Sequence, residues 1–273
     1  MLDGFGPDAA LYAGGTELVV LLKYGLAVYE HLIDLKCLPE LQSIEVDDGG
    51  ASIGAVATYR DLLRHSGLRR QWGELSQMIK QQGNPRVWAA GTLGGNLSFA
   101  EPHSDPATLL ISWRAELECS GVNGVRRVPV EDFIQGPLQT DLGPTEIVTR
   151  IILSRQGERS GTGFQRLSML ERPTANAAVS LETNGNGHVQ RATAVVGAVG
   201  LKAKRLAEAE EIMVNSTVEE LAERADDVAV VVSERVEPLD DGHGDADYRR
   251  HLSGELTRRA LLDALVKLSS SDS

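Results

Sequence analysis

Cysteine is nearly absent: only Cys37 and Cys119 occur, far apart and outside any CxxC spacing. That excludes a disulfide framework and a thiolate metal site, and it points to a reducing compartment. The six histidines form no HxxH or HExxH pair, so the pattern of a histidine-held metal is missing too. No GxSxG elbow marks a nucleophile, and among many acidic residues nothing isolates a pair as general acid and base. No catalytic residue and no metal site are assigned. Positive charge is also in deficit, with a formal net charge of −12 and a pI near 5.0. A general affinity for nucleic acid, which calls for a basic face, is thereby excluded. No window approaches the ~20 apolar residues that a membrane span needs, and the start "MLDGFGPDAALYAGG" has neither a basic head nor a long apolar run. The expectation is a soluble cytoplasmic protein whose ligand contacts come from local features.

What is present is length and pattern. The 273 residues suffice for two modest domains with ample cores. Through the first half, short β-rich runs alternate with helical ones. "SIEVDD" and "ASIGAV" are joined by Asp48-Gly49-Gly50, and "AELECSGVNGVRRVPV" reads as a hairpin about Asn123-Gly124. "YRDLLRHSGL" and "LRRQWGELSQMIKQQ" carry helical spacing. This is an α+β signature. Periodicity gives way to Gly, Ser and charge in "SRQGERSGTG", which sets a boundary near residue 155. The expected domains are 1–155 and 160–268, with a frayed polar tail at 269–273. Strands resume in "GFQRLSML" and "NAAVSLETNGNGHVQRATAVVGAVG", and three helices follow. The last of these repeats Tyr248, Leu252 and Leu256, then Leu261, Leu265 and Leu268, along one face expected to be buried.

Two glycine motifs carry the chemistry. "LYAGGTELVVLL" is a strand, a Gly14-Gly15 turn and a helix that Thr16 can cap; "AGTLGGNLSFAEPHSDPATLL" holds three glycines between Gly91 and Gly95 and then a helix start with Asp105 as N-cap and Pro106 behind it. Residues without Cβ let successive N–H groups converge on one anion. Two such loops suit a diphosphate, whose oxygens face more than one side. Neither loop is a P-loop or a GxGxxG fingerprint. "GFGPDA" fits GxGxxA by letter, but no strand precedes it and Pro7 sits inside it.

"AGGTELVVLLKYGLAVYEHLIDL", "IGAVATYRDLL" and "GTLGGNLSFAEPHSDPATLLISWRAELE" resemble the FAD-binding medium subunit of molybdenum hydroxylases, the flavoprotein subunits of carbon monoxide dehydrogenase and bacterial xanthine dehydrogenase-like enzymes. The resemblance runs on through "TEIVTRIILS", "ERPTANAAVSL" and "DADYRRHLSGELTRRAL". It implies an α+β flavin fold of the vanillyl-alcohol oxidase and p-cresol methylhydroxylase type, built of two α+β subdomains. A C-terminal α+β domain of the carbon monoxide dehydrogenase flavoprotein type follows. By the same resemblance Ala13, Gly14, Gly15, Thr16 and Glu17 face the FAD diphosphate with Leu18 nearby, and Thr92, Gly94, Gly95 and Asn96 form the second diphosphate loop. Asp105 accepts from a ribose hydroxyl, Val148 lies against the flavin or adenine, and Gln165 stands near the flavin ring.

The resemblance also implies a division of labour. Non-covalent FAD is expected, since no His or Cys lies in Ala13–Leu18 or Gly91–Asn96 and His103 falls toward the adenosine side with Asp105. Molybdopterin and [2Fe–2S] clusters belong to partner subunits, a large and a small one, in a heterotrimer or a dimer of heterotrimers. The chain is then an electron-transfer oxidoreductase subunit, taking electrons from the partner's clusters and passing them to an external acceptor. The alternative is a self-sufficient FAD-dependent oxidoreductase of the same superfold, and a third reading is a nucleotide-holding protein without electron transfer. Two departures stand out. Relatives usually carry a strand and helix before the AGGT motif, where this chain has only "MLDGFGPDAALY", and some have lysine where Gln165 stands.

Overall fold

The computed structural model describes residues 2–169 and 171–271. Leu170, the end of "GFQRLSML", and residues 272 and 273 of the polar tail lie outside the described residues. The chain forms two compact units. One comprises the described residues up to Ala100 together with Ala115–Arg155; the other comprises Glu101–Arg114 and the described residues from Gln156 onward.

In the first unit, strand Ala9–Tyr12 pairs in parallel with His31–Asp34, and helix Leu18–Lys23 connects them. A five-stranded antiparallel sheet follows, in the order Ile44–Asp47, Gly50–Gly54, Ile147–Ser154, Glu116–Gly121 and Gly124–Pro129. Asp47 is paired with Gly50, so Asp48-Gly49 form the loop of the first hairpin. In the second hairpin Gly121 is paired with Gly124, so the turn residues are Val122-Asn123, one position before the expected pair. Helical spacing in "YRDLLRHSGL" and "LRRQWGELSQMIKQQ" resolves into three helices, Tyr59–Arg64, Ser66–Gln71 and Gly73–Gln81. The breaks fall at His65, whose extended backbone lets Nδ1 accept the Leu68 amide, and at Trp72. Leu62, Leu68, Trp72, Leu75, Met78 and Ile79 are buried along them, so all three helices turn apolar faces inward.

The second unit is a four-stranded antiparallel sheet of Ser160–Leu167, Ala175–Thr183, Val189–Gly197 and Lys204–Arg205. Gly161 and Gly163 belong to its first strand rather than to a linker. A Cβ at either would run into the carbonyl oxygen of Ala264 or Ala260, so these glycines let helix Ala246–Ser271 lie directly on the strand. Because side chains alternate, the intervening residues face the other way. Thr162 accepts from the Trp113 indole at 3.0 Å, and Arg166 meets Asp105, so helix Asp105–Ser112 covers that second face. Four helices, not three, follow the sheet among the described residues. On the last one Leu252, Leu256, Leu261, Leu265 and Leu268 are buried as the spacing predicts, whereas Tyr248, at the start of the series, is 38% exposed.

Candidate functional site

The first glycine turn leaves strand Ala9–Tyr12 and enters helix Leu18–Lys23. Gly15 has φ +70, the left-handed region that glycine enters without strain, and the Tyr12 ring occupies the space a Cβ would need. Gly14 is placed by contact: its Cβ would strike the Ala90 carbonyl and come within 2.9 Å of the Gly91 α-carbon. Thr16 is exposed and does not cap the helix; Glu17 holds the N-cap position without a side-chain cap bond. The Val19 amide donates to the Gly15 carbonyl at 3.0 Å. The amides of Gly14, Gly15 and Thr16 therefore stand ahead of the helical ladder, where N–H groups are open to an outside acceptor.

The second turn begins at Thr92, the N-cap of helix Leu93–Phe99, whose Oγ1 accepts the Gly95 amide at 3.1 Å. A hydroxyl that accepts one bond keeps its own proton to donate. Gly94 donates to the Ala55 carbonyl at 3.1 Å, and the Asn96 amide donates to the Thr92 carbonyl at 3.0 Å. These amides are engaged locally, so what this turn offers a ligand is close backbone approach and polar side chains more than open N–H groups. A Cβ at Gly94 would come within 2.6 Å of the Ala55 carbonyl oxygen, and one at Gly95 would lie 3.6 Å from the Ala13 Cβ. Gly95 sits in the first helical turn, without a positive φ; its glycine is explained by closeness to Thr92 and Ala13. The two motifs, Gly14-Gly15 and Gly94-Gly95, thus stand against each other at Gly14 with Ala90–Gly91 and at Ala13 with Gly95.

The remaining predicted residues lie elsewhere. Val148 is buried in strand Ile147–Ser154 beside Cys119. Asp105 and Gln165 belong to the second unit and occupy opposite faces of its sheet. Ser104, not Asp105, holds the N-cap position, and Asp105 is the first helical residue. Its carboxylate is 2% exposed, accepts the Asn176 amide nitrogen at 2.8 Å and lies 3.3 Å from the Arg166 guanidinium. Burial pushes this carboxyl up, against the pull of Arg166 and Asn176. Gln165 donates to Asp263 at 2.6 Å.

Two features escaped sequence reasoning. Lys36 donates to the Ala13 carbonyl at 3.0 Å; the only signal was an Asp34-x-Lys36 spacing at a strand end. In the second unit, Arg249 is 1% exposed, bonds the carbonyls of Thr174, Leu239 and Ala198, and meets Asp241 at 2.7 Å. Asp241 also lies 3.0 Å from His103. A charged residue in a helical run gives no local sign of such burial.

The first unit thus sets a glycine turn of a βαβ unit against a second glycine turn, and the second unit is a sheet covered by helices. Residues 1–155 match the family model described as the FAD binding domain in molybdopterin dehydrogenase, and residues 170–264 match the CO dehydrogenase flavoprotein C-terminal domain. The chain belongs to the FAD-binding medium subunits of molybdenum hydroxylases and is an oxidoreductase subunit. It is 30% identical to the carbon monoxide dehydrogenase medium chain of Hydrogenophaga pseudoflava, over 96% of this chain and 91% of that one. It is 25% identical to the xanthine dehydrogenase FAD-binding subunit of Escherichia coli O157:H7, over 95% and 90%. A solved carbon monoxide dehydrogenase from Hydrogenophaga pseudoflava superposes with a TM-score of 0.92 at 29% identity, covering 97% of this chain and 92% of that one. No helix among the described residues is long and apolar enough to cross a membrane.

Proposed function

We propose that the paired glycine turns hold the diphosphate of a non-covalently bound FAD. In this reading Ala13, Gly14, Gly15, Thr16, Glu17 and Leu18 form one side, and Thr92, Gly94, Gly95 and Asn96 form the other. The observation that carries it is the abutment of the two turns, which a single glycine turn and helix cap would not require. Thr92 Oγ1 and the amides ahead of Val19 supply donors to phosphate oxygens. Val148 and Gln165 are assigned to the ring systems, and Asp105 to the adenosine end, on the family resemblance. The geometry of Asp105 supports a supporting role, because both its oxygens already have protein partners. The FAD-binding domain is assigned to residues 1–155 and the C-terminal flavoprotein domain to 160–268, in keeping with the family matches.

The chain serves as the electron-transfer subunit of a cytoplasmic complex. A large molybdopterin subunit oxidises the substrate, a small [2Fe–2S] subunit relays electrons, and this subunit delivers them to an external acceptor. FAD, when bound, supplies that redox chemistry, while the protein holds it and controls access. Two cysteines are too few for the usual four-thiolate ligation of a [2Fe–2S] cluster, which supports placing the relay in a partner. The test is purification of the tagged chain from its native host with flavin and metal analysis. FAD with this chain, and iron and molybdenum with co-purifying subunits, is the expected result. Recovery of FMN alone, or substrate-driven flavin reduction by the chain without partners, would refute the assignment.

A further inference from the structure

We infer that Lys36 is a positioning residue for the Ala13–Thr16 turn, and that its charge strengthens the turn's grip on a diphosphate; this rests on the FAD site proposed above. Strands Ala9–Tyr12 and His31–Asp34 run parallel with Tyr12 beside Asp34. The short 3-10 turn Leu35–Cys37 then carries Lys36 back toward the end of the neighbouring strand. Asp34 Oδ1 accepts the Lys36 amide at 2.9 Å and its ammonium at 2.7 Å, so the side chain is tied down by the turn that bears it. These two bonds hold the Asp34 carboxyl below its usual range.

The same ammonium donates to the Ala13 carbonyl at 3.0 Å and sits 3.8 Å from the centroid of the Tyr12 ring. That ring in turn fills the space beside Gly15. One cation therefore bears on the turn at two points, the Ala13 carbonyl directly and Gly15 through Tyr12. An exposed ion pair two residues apart is worth little by itself. Here, however, the ammonium also reaches across 23 residues to the peptide unit that opens the turn. The Ala13 carbonyl and the Gly14 N–H belong to one peptide group, so a charged donor on the oxygen polarises the N–H and makes it a stronger donor. A turn already held in its binding shape also loses less freedom when the ligand arrives.

The experiment is a titration of the full-length, deflavinated chain with FAD, following flavin fluorescence at several salt concentrations. Lys36→Met keeps the stem and removes the charge; affinity is expected to fall about tenfold, as for loss of a charged hydrogen bond. Its affinity should also respond less to salt than the parent's, because screening acts on the charge that has been removed. Lys36→Arg should restore most of both, which a purely packing role would not predict. Parent-like affinity and salt dependence in Lys36→Met would overturn the inference. Gly14→Ala, titrated alongside, separates the two levels: if it weakens FAD while Lys36→Met does not, the site stands and the role of Lys36 falls. If neither weakens FAD, the site reading falls and this inference with it. Should Lys36→Met fail to fold, Lys36→Gln, which keeps a donor and drops the charge, gives the same comparison of salt dependence.

Discussion

Gly14→Ala probes the junction of the two turns with a single carbon. Built on the present backbone, the new Cβ lies 2.8 Å from the Ala90 carbonyl carbon and 2.9 Å from the Gly91 α-carbon. Non-bonded carbons settle at about 3.5–4.0 Å, so the segments must part by roughly an ångström. The obstructing atoms are all backbone, and no rotamer change relieves them. Overpacking of this kind costs about 1–3 kcal/mol, offset by about 0.4–1 kcal/mol because alanine narrows the unfolded ensemble. A net loss of about 1–2 kcal/mol, expressed at the ligand site, weakens FAD binding roughly 5- to 30-fold. Expressed as stability, it lowers Tm by about 2–4 °C per kcal/mol for a domain of this size. Fluorescence titration of the deflavinated protein and thermal melts with and without FAD measure both. Gly73→Ala is the control, since it opens a helix, has no positive φ and meets nothing within 4 Å. If Gly14→Ala binds FAD and melts like the parent, the turns are not held together at Gly14, and the argument for a joint site fails.

Two further substitutions address other parts of the molecule. Asp105→Ala removes the buried carboxylate facing Arg166 and Asn176 and should destabilise the protein by about 3–5 kcal/mol in urea unfolding; weakened FAD binding with unchanged stability would instead make Asp105 a ligand contact. Glu146 is held down to about 2, first by hydrogen bonds from Arg126 and then by the Gly143 amide, against an ordinary value of 4.5. Its folded pKa lies below the unfolded one, so its contribution is complete above about 4.5 and is lost as pH falls toward 2. Glu146→Gln should lower stability at neutral pH and flatten the acid limb of a stability–pH curve, and an unchanged limb would show that another group drives it.

Local signals made much of the fold legible. The Asp48-Gly49 hairpin, the strand Ile147–Ser154 and the buried leucines of helix Ala246–Ser271 are set by turn chemistry and periodicity, which act over a few residues. The glycine turn at Gly15 was legible because conformational freedom there is itself a local property. Which surface meets which was not local. The segment Asp105–Ser112 shows an N-terminal helix signature and nothing to say that it lies on the strands Ala175–Thr183 and Val189–Gly197. Gly161 and Gly163 look like linker residues until a helix a hundred positions onward in sequence is laid on them. Lys36 reads as a surface lysine because its partners at Tyr12 and Ala13 are brought beside it only by a parallel strand pairing. Sequence alone determined most of the strands and hairpins, the glycine turns and the family, but not where the helices break or that Gly161 and Gly163 belong to a strand. Tertiary structure decided their partners, because pairing across distant segments depends on contacts that neither segment encodes by itself.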